Sequence, residues 1–236
     1  MTRPLRRRLV AEGIGTALLV TVVVGSGIAA QRLSPDAGLQ LLANSIATAL
    51  GLAVLILLFG PVSGAHFNPA VTVATWLLGR RRGTGPPGRD ALGYCAAQTT
   101  GAVLGALLAN TMYDLAPVQV ASTVRAGPGL WLGEVVATAG LVALVVALTR
   151  TGRAPLAAAA VGAYIGAAYW FTSSTAFANP AVSVGRMFSD TFAGIAPASV
   201  PAFVLAQFVG AALGAGLAVT LHPEPRQIPV DGRSAP

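Results

Sequence analysis

The stretch His66-Phe67-Asn68-Pro69-Ala70-Val71 returns 111 residues later as Phe177-Ala178-Asn179-Pro180-Ala181-Val182. Each copy closes a break in a long apolar run and opens a second, shorter one. Asn before Pro is a helix-start signal, because the Asn side chain caps the first turn and Pro suits the first helical position. A helix that begins inside an apolar layer aims unpaired N–H groups and the positive end of its dipole at whatever occupies the break. Two such starts in corresponding positions of two halves point to a membrane-embedded conduction site.

The rest of the chain supplies the apolar layer. Of 236 residues, 54% are hydrophobic and 10% charged, and the mean hydropathy is +0.70. That is the composition of a polytopic membrane protein. Candidate spans are 9–30, 39–59, 91–112, 130–148, 154–171 and 200–221, each near the ~20 residues that a bilayer-crossing helix needs. The apolar pieces 69–78 and 180–187 are too short to cross. They read as re-entrant half-helices, tolerated at membrane depth only against protein or a watery cavity. Span one is longer than a signal-peptide core and carries Glu12, so it reads as a retained span. The tails 1–8 and 223–236 are polar and read as cytoplasmic and poorly ordered.

The net charge of +7 raises nucleic acid as a partner, and the charge distribution argues against it. All fifteen basic residues are arginines, and twelve fall on one side of the predicted topology. These are Arg3, Arg6, Arg7, Arg8, Arg80, Arg81, Arg82, Arg89, Arg150, Arg153, Arg226 and Arg233; the other side holds Arg32, Arg125 and Arg186. This positive-inside bias places both termini in the cytoplasm of a multi-pass protein of the cell membrane. The single cysteine, Cys95, excludes a disulfide framework and reads as a packing residue. The two histidines, His66 and His222, lack metal-ligand spacing, so no metal or cofactor is expected.

The two halves repeat beyond the Asn-Pro-Ala motifs. Glu12 and Thr16 in span one match Glu134 and Thr138 in span four. Ala97-Gln98 and Gly101…Gly105 in span three match Ala206-Gln207 and Gly210…Gly214 in span six. The repeats read as 9–119 and 120–222. Three spans per half is an odd number, so the second half enters upside down, an inverted 3+3 repeat. The Gly-x-x-x-Gly pairs predict close helix packing. Glu12 and Glu134 are costly at membrane depth. They are expected to face inward and accept hydrogen bonds from the re-entrant loop backbone, with His66 ordering the loop at Asn68.

These residues resemble the aquaporin and aquaglyceroporin family, the major intrinsic proteins. The resemblance spans residues 9–221 and is most specific at Ser63-Gly64-Ala65-His66-Phe67-Asn68-Pro69-Ala70-Val71-Thr72. It implies an all-α hourglass of six transmembrane helices and two half-helices meeting at the membrane centre. It also implies Asn68 and Asn179 as solute donors, and carbonyl ladders at Gly64, Ala65 and His66 and at Thr175, Ala176 and Phe177. A homotetramer with one pore per subunit is implied too. The function implied is a passive channel for water, glycerol-like polyols and other small neutral solutes.

The resemblance departs at the filter. Water-selective members place an Arg after the second Asn-Pro-Ala, where this chain has Val182. Counting by the family pattern assigns the other filter positions to Ala167, Ala176 and Thr48, with Leu50 for the last if a gap intervenes. A wider, more apolar constriction follows. That combination, with Gly162 to Thr172, resembles a bacterial branch of aquaglyceroporins found with arsenic-resistance genes, which adds arsenite as a polyol-sized candidate. Arg186 lies one turn beyond Val182, on the same helix face. It reads either as an outer-vestibule residue or as a solvated helix-end Arg paired with Asp190. An ion-coupled secondary transporter and a water-selective aquaporin are the alternatives. A membrane enzyme has no paired carboxylates or metal ligands to draw on.

Overall fold

A computed structural model describes residues 3–80 and 87–223. Arg81, Arg82, Arg226, Arg233 and most of the C-terminal tail lie outside the described residues. Among the described residues eight α-helices follow in order: α1 (Leu5–Leu33), α2 (Ala37–Ser63), α3 (Pro69–Gly79), α4 (Gly88–Met112), α5 (Pro128–Arg150), α6 (Ala157–Phe171), α7 (Pro180–Gly185) and α8 (Val200–Leu221). A 3-10 turn at Ala154–Leu156 extends α6, and another at Arg186–Phe188 continues α7. Six of these segments are long and apolar enough to cross a membrane. The described residues contain no β-strand. The observed helices overrun the expected spans by up to about one turn, because helix length is set by caps as well as hydropathy. Asp36, for example, accepts from the Leu39 N–H at 2.7 Å to start α2.

The packing obeys the repeat. α1 lies most extensively on α4, and α5 on α8. A Cβ at Gly101 or Gly105 would overlap the carbonyls of Gly13 or Ala17 on α1. A Cβ at Gly210 or Gly214 would overlap those of Val135 or Ala139 on α5. The Gly-x-x-x-Gly faces therefore allow backbone-to-backbone contact in both halves. Along the other seam, α2 crosses α6.

The half-helices α3 and α7 sit between these pairs and touch each other. Six residues cannot hold a helix alone. α7 survives because Gly185 lies against the Ala102 carbonyl and Ser183 Oγ accepts from Gln207 Nε2 at 2.9 Å. In the first half Gln98 Nε2 donates to Thr72 Oγ1 at 3.0 Å, the equivalent bond.

The three arginines of the sparsely charged side are held by backbone carbonyls. Arg32 donates to Tyr113, Arg125 to Phe192 and Gly194, and Arg186 to Ala193. On the richer side Arg8 pairs with the buried Asp90 at 2.6 Å.

Candidate functional site: a paired-asparagine pore

The two Asn-Pro-Ala breaks meet. Asn68 Nδ2 donates to the Ala178 carbonyl at 2.7 Å, and Asn179 Nδ2 donates to the Phe67 carbonyl at 2.8 Å. Each side-chain oxygen caps its own half-helix. Asn68 Oδ1 accepts from Ala70 N–H, and Asn179 Oδ1 from the N–H groups of Ala181 and Val182. Pro69 and Pro180 occupy the first helical position, where a missing N–H costs nothing. Each Nδ2 carries a second hydrogen, which the clasp leaves over.

The loops before the asparagines adopt left-handed backbone in a repeated pattern. Gly64, Ala65 and Phe67 have φ of 91°, 49° and 49°. Thr175, Ala176 and Ala178, the residues 111 positions later, have 59°, 47° and 48°. Each non-glycine residue held there costs roughly 1–3 kcal/mol, so the surroundings must impose it.

The buried glutamates do so. Glu12 accepts from the N–H groups of His66 (3.0 Å) and Phe67 (2.7 Å), from Ser63 Oγ and from Gln98 Nε2. Glu134 accepts from those of Phe177 (2.9 Å) and Ala178 (2.8 Å), and from Gln207 Nε2. His66 rests through Nδ1 on Thr72 Oγ1 and edge-on against Tyr94, as Phe177 rests against Phe203.

The loop donors are thus turned into the protein. The acceptors are not. Among the described residues, no protein donor reaches the carbonyls of Gly64, Ala65, His66, Thr175, Ala176 or Phe177. Residues of both loops line one cavity, among them Gly64, Ala65 and His66 and Ala176, Phe177 and Ala178. Apolar side chains line it as well: Leu19, Val23, Leu52 and Ile56 from the first half, Leu141, Val145, Val161 and Ile165 from the second. The cavity is lined by the two loops, whose carbonyls take no protein donor, by hydrocarbon side chains from both halves, and by the two asparagines.

The structure sorts the filter candidates. Thr48, Ala176 and Val182 line the cavity. Ala167 does not, and lies exposed on the outer side of α6. The cavity stripe of α6 is Ala157, Val161, Ile165 and Tyr169, every fourth residue, and two residues off that stripe is about 200° around the helix. Tyr169 stands where Ala167 was expected, and its hydroxyl meets Thr48 Oγ1 at 3.1 Å. Leu50 is 65% exposed and away from the cavity.

Of the two readings of Arg186, the solvated helix end paired with Asp190 is the one the structure corrects. It is 2% exposed and lines the cavity. Its guanidinium lies 3.4 Å from the centroid of the Phe177 ring and donates through Nε to the Ala193 carbonyl. Among the described residues no protein acceptor takes its Nη donors. Asp190 is not its partner. That exposed carboxylate accepts from the backbone and hydroxyl of Ser122, which hold it below the usual carboxylate range. The mouth is therefore more polar and more charged than Val182 alone suggested. Tyr169 and Phe177 were missed as mouth residues; α6 is apolar on every face, so no stripe in the sequence singles out Tyr169.

The chain matches the family model described as "Major intrinsic protein" over residues 2–176. It is 51% identical to the aquaglyceroporin AqpS of Rhizobium meliloti (strain 1021), over 88% of this chain and 86% of that protein. It is 36% identical to the glycerol uptake facilitator protein of Pseudomonas aeruginosa, over 87% and 85%. It superimposes on the X-ray structure of the aquaglyceroporin from Plasmodium falciparum with a TM-score of 0.72 at 18% identity, over 91% of this chain and 95% of that one, which speaks to the fold. With its six membrane-length helices, its inverted repeat and its paired Asn-Pro-Ala half-helices, the chain belongs to the major intrinsic protein family.

Proposed function

We propose that the protein is a passive channel, not an enzyme, for uncharged solutes of polyol size. Glycerol is the first candidate, and the trihydroxy form of arsenite follows by likeness of size and hydroxyl pattern. The observation that carries this reading is the mixed lining of the cavity. A solute with a hydroxylated edge and a hydrocarbon edge satisfies the loop carbonyls and packs on the apolar side chains, and the two Asn amides meet its oxygens. A hydrated cation meets the opposite arrangement: two half-helix N-termini, two amide donors and the Arg186 guanidinium. Glu12 and Glu134 serve as loop supports, since their oxygens are taken up by loop and Gln donors.

Water passes the same path. Arg186, Tyr169, Thr48 and Phe177 form the mouth that ranks solutes by size. The relatives named above are called aquaglyceroporin and glycerol uptake facilitator, in keeping with this assignment. The working form is proposed to be a homotetramer in the cell membrane, as the family resemblance implies, and the arginine asymmetry supports cytoplasmic termini. The test is stopped-flow flux in proteoliposomes with water, glycerol and arsenite. Linear, ion-independent glycerol flux supports a channel. Saturable, ion-gradient-dependent flux identifies a coupled transporter, and water flux alone identifies a water-selective pore.

A further inference from the structure

The cavity mouth carries a second arginine that does not line the cavity. Arg125, in the connection between the two repeats, reaches the same Phe177 ring as Arg186, its Cζ 5.3 Å from the centroid. Its Nη2 donates to the Phe192 carbonyl at 3.1 Å and its Nε to the Gly194 carbonyl at 2.8 Å. The carbonyl between those two, Ala193, is the one that receives Arg186 Nε. We infer that Arg125 is a positioning residue for the pore mouth: it fixes the guanidinium of Arg186 and thereby sets the size of neutral solute admitted.

The physical argument is one of geometry and charge. Three successive carbonyls are shared by two arginines, the outer two by Arg125 and the middle one by Arg186. A planar fork across the outer two fixes the peptide planes on either side of Ala193, and so the direction of the acceptor that orients Arg186. The segment has little slack. A Cβ at Gly194 would lie 2.5 Å from the Ser189 carbonyl oxygen, and the Arg125 backbone is itself tied to Ser199 Oγ at 3.0 Å. Among the described residues no carboxylate pairs with either guanidinium. Two like charges share one aromatic ring, held by carbonyls and by the ring, with no carboxylate paired to either among the described residues. Without Arg125 the Phe192 and Gly194 carbonyls lose their donor, one side of the ring opens, and Arg186 is free to leave the mouth.

This inference rests on the channel reading, and the experiment separates the two. Glycerol and water permeabilities are measured in proteoliposomes for the wild type, Arg125→Ala, Arg186→Ala and the double variant, at matched protein density. Retained water flux certifies a folded pore. Arg125→Ala should raise the glycerol-to-water ratio about twofold or more, the lower end of coupling between neighbouring residues. The double variant should match Arg186→Ala alone, because a residue acting through Arg186 has nothing left to act on. A wild-type ratio in Arg125→Ala overturns the inference, and so does an effect that persists in full in the Arg186→Ala background. If Arg125→Ala loses water flux, Arg125→Lys decides. It keeps the charge and loses the two-carbonyl fork, so a raised ratio supports positioning and a wild-type ratio overturns it. Absence of glycerol flux in the wild type itself defeats the polyol-channel reading instead.

Discussion

Asn68 Nδ2 donates to the Ala178 carbonyl at 2.7 Å, across the seam between the two half-helices. The bond belongs to neither half. It exists because the second repeat is inserted upside down, so that each Asn-Pro-Ala amide meets the residue before its counterpart. Each Asn therefore does three things: it caps its helix, clasps the other half, and leaves one amide hydrogen over.

Asn179→Asp tests the clasp. The replacement keeps the cap oxygen and loses the donor. It sets an acceptor against the Phe67 carbonyl, which is itself an acceptor. A buried group left unpaired costs roughly 1–3 kcal/mol, so neutral-solute flux should fall about tenfold or more. Asn68→Asp should do the same at the Ala178 carbonyl. Stopped-flow glycerol uptake at wild-type levels, in a variant that remains monodisperse, would remove these amides from the conduction path.

The loop supports make a second prediction. Glu134 receives two backbone N–H groups and the Gln207 amide, and Glu12 receives an equivalent set. A glutamine at either position presents an NH₂ where donors already converge. At least one buried donor is orphaned, at a cost of roughly 1–3 kcal/mol. Glu134→Gln and Glu12→Gln should each lower the thermal midpoint in detergent. They should also reduce water and glycerol flux together, since a slack loop harms the whole path. A midpoint equal to the wild type would show that the carboxylates do not hold the loops.

Helix packing gives a third prediction with an internal control. A Cβ at Gly214 would overlap the Ala139 carbonyl, whereas a Cβ at Gly216, two residues on, meets nothing within 4 Å. Gly214→Ala must push α8 from α5 and should cost about 1–3 kcal/mol, as overpacking does. Gly216→Ala should be neutral or slightly stabilising by helix propensity. Thermal unfolding of the pair decides, and equal midpoints would contradict the close contact.

The fold was legible in the sequence because its determinants are local and doubled. Asn-Pro marks a helix start wherever it stands, a Glu in an apolar span must find donors, and Gly-x-x-x-Gly marks a close seam. The mouth was not legible in the same way. Ala167 was placed by counting back along a family pattern, and two residues of slippage carry a side chain to the far side of α6, where Ala167 lies. Because α6 is apolar on every face, periodicity could not correct that count, and the stripe from Ala157 to Tyr169 is visible only in the folded cavity. Arg186 keeps two readings in the sequence, vestibule or solvated helix end, because hydropathy cannot foresee that the Phe177 ring and the Ala193 carbonyl will take it inward.

Val182 and Arg186 pose the last prediction, because both line the cavity one turn apart. Val182 is the counterpart of Val71, which lines the cavity from the other half, so this position is apolar in both repeats. Val182→Arg adds bulk, a fixed charge and several donors about 5.4 Å deeper than Arg186. The added guanidinium also repels Arg186, and relief is available only toward the lumen or outward. Glycerol and arsenite flux should fall more than water flux, lowering the glycerol-to-water ratio. Arg186→Ala should raise that ratio by removing a guanidinium from the cavity lining. Both are read in proteoliposomes at matched protein density, with water flux as the check on folding. If Val182→Arg leaves the ratio at the wild-type value while Arg186→Ala raises it, Arg186 alone sets the constriction and Val182 stands in a wide part of the pore. If Arg186→Ala leaves the ratio unchanged, the mouth does not rank solutes, and selectivity must lie at the paired asparagines.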